Sequence, residues 1–448
     1  MYWANFLHIY QPPTQKEQII RRIADESYRK LVTGFKQLGS ARLTLNINGI
    51  LCEQLDRYGG KDILKAIREL LEQDVIELTG SAKYHAFLPL LPEREIEHQI
   101  RLNEEVLYKY FGSAWKKRGF FPPEMAYSQS VAKVAQTLGY QWIIADELAA
   151  PKKINPSKIY SVAGLDDFYI FFRERNFSFT ISSATPDPEG IFQYLGERLN
   201  KQEYGITAMD GEMFGHHRPG LEHLLFQLLA DKRTMPVMIS DLVKHFKDKE
   251  SIEPRNSTWA VTKKDLQAGT PFDRWQGKAN PIQKQQWELT RLAILTCNHE
   301  PVSEAAREDL AAALHSDQYW WASAKPWWSL EMIERGAHEL KTAIIGAPGA
   351  SAMQKQQAAT LYESIVFTGF EWQRSGLVDT MSRSEDEEVR DFLAERAKMF
   401  ITKAEYENMI RAREAEMRTA AKNEEYHRAG MIKDRIIELK EEMKKAKS

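Results

Sequence analysis

Through the first half of the chain, short runs of β-branched, aromatic and aliphatic residues alternate with stretches whose apolar residues recur every three or four positions. Residues 2–9 form the first run, and Pro12-Pro13 stop it. Residues 42–47, where Leu43, Leu45 and Ile47 alternate, read as a second strand. Residues 75–79, 119–123, 142–145, 159–162, 168–172 and 206–209 read as further strands. Between them, 16–38 carries Ile19, Ile20, Ile23, Tyr28, Leu31, Phe35 and Leu38 at helical spacing. Residues 50–58, 61–73, 92–111, 131–138 and 191–200 do the same. Strand alternating with helix predicts a parallel α/β barrel with about seven strands, although counting strands does not separate seven from eight.

After residue 220 the pattern changes. Residues 221–229 and 239–246 read as helices, and 251–277 is polar and irregular, with Trp259, Asp273 and Trp275. Asn280-Pro281 opens a helix to 295, with proline in its first turn. Residues 304–314, 327–340 and 352–372 are further helices, which together predict an all-α domain packed on the barrel. A charged linker at 382–388 precedes a terminal helical hairpin at 405–440. The expected domains are a barrel over 1–250, a helical domain over 251–381, and linker plus hairpin over 382–448.

Charge narrows the choice of partner. Lys and Arg number 61 against 63 Asp and Glu, so there is no electrostatic case for nucleic acid or an anionic membrane surface. Cys52 and Cys297 sit among apolar neighbours and are too few for a disulfide framework. The opening Met1-Tyr-Trp-Ala-Asn lacks the basic segment of a signal peptide, and no apolar run reaches membrane-spanning length, so a cytoplasmic protein is expected. Eleven Trp and seventeen Tyr suit sugar-face stacking as well as cores.

Two stretches carry chemistry. Residues 205–220 run from an apolar strand into Asp210, Gly211 and Glu212, then Gly215, His216 and His217. Strand ends of this kind present reactive groups at a barrel rim. A polar turn with Asp210 as a helix cap is the plain alternative. Residues 119–127 also end an apolar run at a single acid, Glu124. Two acids on two strand ends match glycoside hydrolysis, in which one carboxylate attacks the sugar carbon and the other protonates the leaving oxygen.

With these stretches the chain resembles glycoside hydrolase family 57. His8-Ile-Tyr-Gln-Pro12 is similar to the first motif of that family, and 76–80 (Ile-Glu-Leu-Thr-Gly) to the second. Residues 119–127 are similar to the nucleophile motif, 209–217 to the acid/base motif, and Ser316-Asp317-Gln-Tyr-Trp320 to a pattern in the helical region. Tyr10 departs from a usual histidine and Phe121 from a usual tryptophan. The resemblance implies an incomplete (β/α)7 TIM-like barrel followed by an α-helical domain. It further implies retaining attack on α-1,4-glucans or maltooligosaccharides, with Glu124 as nucleophile and Asp210 as acid/base, their carboxyls ~5–5.5 Å apart. Asp210 should have a raised pKa and Glu124 should stay ionised. His8, Gln11, Glu77, Tyr84, Glu212, His216, His217, Trp275 and Asp317 are the expected substrate contacts, and no cofactor or metal is called for. Glu77 could instead form a structural ion pair, Asp317 could cap a helix, and Glu212 rivals Asp210 for the acid role. Arg173 or Arg175 is expected to hold an acid or a sugar hydroxyl, the choice between them staying open. Asp-Gly-Glu at 210–212 favours amylase-like hydrolysis or 4-α-glucan transfer over branching.

Residues 405–440 resemble a UVR motif, the hairpin of excision-repair nuclease subunits and Clp-associated proteins. The match rests on Met417, Ala420-Ala421, Asn423, Tyr426, Ala429 and Lys433-Asp434-Arg435-Ile436, with Gly430 departing. It implies two short helices that bind a protein partner or self-associate. Two other classes stay open. One is a metal-dependent hydrolase using His8, Asp210, His216 and His217 as ligands. The other is a non-catalytic glucan-binding protein signalling through the hairpin.

Overall fold

Ten strands build the first part of the molecule: β1 (Tyr2–Ile9), β2 (Leu43–Ile47), β3 (Ile76–Leu78), β4 (Gly119–Phe120), β5 (Trp142–Asp146), β6 (Ile159–Val162), β7 (Tyr169–Arg173), β8 (Tyr204–Asp210), β9 (Met235–Val237) and β10 (Lys249–Ile252). The structure, a computed structural model, describes residues 1–183, 187–382, 403–422 and 426–445. One sheet runs β3-β2-β1-β8 with β9 beside the start of β1; the other runs β10-β6-β7-β5-β4. A parallel bridge from Gly80 to Phe120 joins β3 to β4, and the Glu174 amide donates to Ile206 O at 2.8 Å to bring β7 to β8. The parallel strands β8, β1, β2, β3, β4, β5 and β7 thus curl into an incomplete (β/α)7 barrel. Strand β6 is antiparallel to β7 and lies outside that circuit with β10.

Strand alternation decides what faces inward. Ala4, Phe6, Trp142, Ile144, Phe171, Ile206 and Ala208 pack with Phe121 in the barrel interior. One step further along the same inward rows come His8, Asn46, Asp146, Arg173 and Asp210. Register fixes their height, since His8 pairs with both Asn46 and Asp210, and Asp146 with Arg173. The interior is therefore apolar up to its last ring, which is polar and lies at the carboxyl ends of the strands.

Local structure follows the sequence pattern with exceptions. Strands β9 and β10 went unread, because Met235-Pro236-Val237 contains proline and Lys249-Glu250-Ser251-Ile252 is an edge strand with half of its residues charged. The helix expected at 239–246 is a 3₁₀ turn, Ile239–Asp241, and a single helical turn, Leu242–His245. Residues 16–38 form helices Glu17–Ile23 and Arg29–Leu38 around a π turn at Ala24–Tyr28. From that π turn, Ser27 Oγ donates to Gly211 O at 2.8 Å. Gly215 passes so close to it that a Cβ would lie 2.0 Å from Glu26 O.

Helices Pro281–Cys297, Glu304–Ala313, Leu330–Gly346 and Ala352–Arg374, with the short helix Asp317–Trp320, form the helical part. Their apolar faces share one cluster with Phe120, Ile143 and Ile170 of the barrel, so the two parts have a continuous core. Helices Lys403–Lys422 and Tyr426–Lys445 carry their own cluster of Tyr406, Ile410, Ala420, Ile432, Ile436 and Leu439, closed by a 3.0 Å Lys440–Glu414 ion pair. At 20 residues each they are longer than the short helices expected. The linker at 382–388 beyond its first residue, and Asn423, lie outside the described residues. No helix among the described residues is long and apolar enough to cross a membrane.

Gly215 has φ +108° as well as the steric conflict, so any side chain there displaces the loop that carries Glu212. Gly215→Ala should lower unfolding stability by about 2 kcal/mol or more, read as a reduced denaturation midpoint.

Candidate active site

Glu124 follows β4 in a 3₁₀ turn, Pro123–Met125, at a backbone conformation that only glycine adopts freely. Its φ is +61° and that of Met125 is +49°. Such residues cost about 1–3 kcal/mol each and persist only where the surroundings impose them. Here the Trp259 amide donates to Glu124 O at 3.1 Å, and Tyr127 and Ser257 exchange backbone bonds on the far side of the turn. The Glu124 carboxylate accepts from Trp259 Nε1 at 2.9 Å and from Ser316 Oγ at 3.2 Å, with His85 Nδ1 3.8 Å away. Burial pushes its pKa up to about 8, with Asp317 and Asp210 adding to the rise and the Trp259 and Ser316 bonds opposing it.

Asp210 ends β8 on the inward row. Burial pushes it up to about 6, restrained by the positive charge of Arg173. The expected rise at Asp210 is found, but Glu124, expected to stay ionised, is raised further, because Arg173 tempers Asp210 while Asp317 and Asp210 add to the effect of burial at Glu124. Arg173 Nε donates to Asp146 at 2.9 Å and its Nη2 to Trp259 O at 3.0 Å. Arg175 donates to the same carboxylate, to Trp259 O and to Val261 O. Of the two arginines, Arg173 therefore lends its charge to Asp210, while Arg175 ties the 259–261 segment to β5.

Glu212 is held by three hydrogen bonds. Gly211 starts a 3₁₀ turn that ends the strand alternation, and the Glu212 carboxylate accepts from Tyr28 Oη, Gln11 Nε2 at 3.2 Å and the Tyr10 amide at 3.3 Å. Burial, and then Asp210, push it up to about 7 against the Tyr28 bond. Gln11 and Glu212 thus brace each other beneath the rim.

On β1, beside Asp210, His8 Nδ1 donates to Asn46 Oδ1 at 2.8 Å, and its ring lies 5.1 Å from that of His85. Tyr10 stacks on His85 at 4.0 Å, and its hydroxyl donates to Asp317 Oδ2 at 2.6 Å. Burial holds both His8 and His85 below their ordinary values, His85 at about 4, so both are neutral. His315 behaves oppositely. Burial lowers it, but bonds to Asp317 at 3.1 Å and Glu339 at 3.2 Å outweigh that and raise it to about 9. Asp317 is first in its short helix, yet its carboxylate is spent on Tyr10 and His315 rather than on a cap.

Several expected contacts are placed elsewhere. Trp275 is 0% exposed, stacked between Phe87 at 4.7 Å and Trp320 at 5.0 Å, and is a core residue. Glu77 pairs with Thr44 one layer below the polar ring, accepting from Thr44 Oγ1 and the Ser240 amide, and forms no ion pair among the described residues. Tyr84 lies against Lys83, 5.0 Å from its ring, while its neighbour His85 enters the site. His216 bonds Glu26 at 2.5 Å and His217 is exposed, so neither joins His8 and Asp210. Among the described residues no group of three His, Cys, Asp or Glu side chains is placed to hold a metal ion. His85, Ser316 and His315 were missed, and Trp259 was noted only as a bordering aromatic. The one signal was proximity, for each adjoins a residue already singled out or lies in the same irregular segment.

The family model for glycosyl hydrolase family 57 matches residues 4–253, from within β1 to just beyond β10. The chain belongs to that family. An alpha-amylase from Pyrococcus horikoshii is 23% identical over 230 residues, covering 49% of this family-57 chain and 35% of the amylase. The chain thus spans about a third of that relative's length. The fold is that of a 4-alpha-glucanotransferase from Thermococcus litoralis (TM-score 0.62, 14% identity, 77% of this chain and 58% of the other). It is likewise that of a GH57 branching enzyme from Thermococcus kodakaraensis (TM-score 0.60, 16% identity, 80% and 94%). The two departures from the family-57 motifs now have physical places. Tyr10 reaches Asp317, and Phe121 packs 4.7 Å from His8 and 5.8 Å from Trp259.

The raised value of Glu124 has a consequence for stability. It lies above the ~4.3 of an unfolded glutamate, so folding favours the neutral acid. That contribution is complete below about pH 4 and is lost as pH climbs through about 8. Glu124→Gln should therefore raise the unfolding midpoint at pH 9, by on the order of a few kcal/mol, with the difference vanishing at acid pH in thermal melts.

Proposed function

We propose that the protein is a retaining enzyme acting on α-1,4-glucans, with Glu124 as nucleophile and Asp210 as acid/base. The observation that supports this reading is two largely buried carboxyls on separate strand ends, both raised, with Asp210 adding to the rise at Glu124 and, among the described residues, the Trp259 and Ser316 donors aimed at Glu124. In the first step a Glu124 oxygen bonds to the anomeric carbon as the glycosidic bond breaks, and the Asp210 proton passes to the departing oxygen. In the second, Asp210 takes a proton from water or a glucan hydroxyl, whose oxygen displaces Glu124.

Burial raises Glu124 further than Asp210, whereas this chemistry needs Glu124 ionised and the proton on Asp210. A bound sugar must therefore favour ionisation of Glu124 over that of Asp210. The Trp259 indole and the Ser316 hydroxyl, both already directed at Glu124, favour its ionised form, and carboxylates holding such donors titrate lower. The neutral rings of His8 and His85 suit hydrogen bonds to sugar hydroxyls without adding charge.

Amylase-like hydrolysis is the first reading. The alternative is 4-α-glucan transfer or branching, supported by the folds of the glucanotransferase and the branching enzyme. A non-catalytic glucan-binding protein that signals through the terminal hairpin is the reading that remains if no product forms. The resemblance of that hairpin to a UVR motif, and its separate core, support a protein partner or a second copy there, in a cytoplasmic protein.

Incubation with maltooligosaccharides and sizing of products tests the activity. Shorter products alone mean hydrolysis, shorter and longer together mean transfer, and none overturns the enzyme reading. Glu124→Gln and Asp210→Asn should each reduce kcat by about 10²–10⁴-fold. The kcat/KM profile should be a bell with limbs near pH 6 and pH 8, since one proton must remain on the pair. A profile flat across that range would refute the assignment.

A further inference from the structure

A cleft outside the site just described opens where residues 269–278 face helix Pro281–Cys297. Its volume is about 310 Å³, at the lower end of the ~300–1,000 Å³ typical of small-molecule sites. Lys284, Trp287 and Arg291 form one wall, because positions spaced by three, four and seven share a helix face. Lys278 brings a third cation from the facing loop, and no acidic side chain among the described residues lines the cleft. Glu288 lies one position beyond Trp287, about 100° further round the helix, and so misses it. Among the described residues Lys284 and Arg291 have no ion pair, and Lys278 has a single 3.5 Å bond, to Ala268 O. In a chain of 61 basic and 63 acidic residues, three cations without a counter-charge give this cleft a local positive potential.

Both walls are fixed. Trp287 Nε1 donates to Trp275 O at 2.8 Å, Gln283 Nε2 to Arg274 O at 2.7 Å, and the Gly277 amide to Gln283 Oε1 at 2.6 Å. The Thr270 amide donates to Asp265 O at 2.8 Å. A cleft set before its ligand arrives spends little on ordering its walls. Three cations suit a phosphoryl dianion, to which an arginine fork presents paired donors. Thr270 and Gln276 line the same cleft and offer polar atoms to a hydroxylated body. A nucleobase fits less well. Trp287 is 3% exposed with Tyr319 stacked on one face at 4.2 Å, and Phe272 is 8% exposed, so neither ring offers an open face for a base to cover.

We propose that this cleft binds the phosphate monoester of a single sugar, its phosphoryl group held by Lys278, Lys284 and Arg291. Neither Glu124 nor Asp210 lines it, and the proposal does not depend on the glucan reading. Equilibrium dialysis of the full chain against radiolabelled glucose 6-phosphate, at fixed ionic strength, should show one bound molecule per chain. Lys284→Gln and Arg291→Gln should each weaken binding about tenfold or more, as expected for loss of one charge-assisted bond. Both side chains are exposed, so the variants should keep the wild-type thermal midpoint without ligand. Unlabelled glucose should not compete. Absence of bound label, or equal affinity in wild type and Arg291→Gln, overturns the site. Competition by glucose as strong as by glucose 6-phosphate overturns the role of the cations. Inorganic phosphate competing as well as the ester, or AMP competing better, overturns the sugar phosphate as the ligand.

Discussion

Trp259 is the residue on which the site depends. Its amide and indole both hold Glu124, one through the backbone and one through the carboxylate, while its carbonyl receives Arg173 and Arg175. Those arginines are anchored in turn on Asp146, which is fully buried at the end of β5. A segment with no regular structure is thereby fastened to β4, β5 and β7 at once. The left-handed backbone at Glu124 persists because this clamp supplies bonds that a relaxed turn would forfeit.

The second constraint is charge. Glu124 feels the charges of Asp317 and Asp210, Glu212 feels that of Asp210, and burial disfavours the ionised form of each of the four. The site separates their behaviour by what lies beside them. Asp317 is held low by His315 against the effect of burial, Asp210 is tempered by Arg173, and Glu212 is raised between a tyrosine hydroxyl and a neighbouring acid. Glu124, beside neutral donors alone, is raised most. Environments that push similar groups apart are how carboxyls of one kind come to serve different roles.

Much of the barrel could be read from sequence because its strands are buried on both faces and stand out as apolar runs against amphipathic helices. Residues 2–9 and 159–162 were placed to the residue. The ends of those runs located His8, Glu124 and Asp210 for the same reason. Legibility failed where function depends on contacts made in space. Trp275 and Trp259 share one polar segment and look alike there, yet Trp275 is sealed between two rings and Trp259 faces the cavity. The place of Glu77 could not be read locally because it depends on register across three strands, which pairs it with Thr44 rather than with the ring of His8 and Asn46. His85 sits at φ +57°, in a turn whose shape no local pattern announces.

The wide turn at Ala24–Tyr28 joins two stretches nearly two hundred residues apart. It places Ser27 on Gly211 and Tyr28 on Glu212, while its Glu26 carbonyl leaves room only for glycine at 215. A π turn carries one residue more than the helix around it, so deleting that residue would rotate both anchors away together. The 211–217 loop therefore cannot diverge freely. Its sequence and that of the first helix form a single unit of inheritance, and grafting a relative's loop onto this barrel would require importing its helix as well.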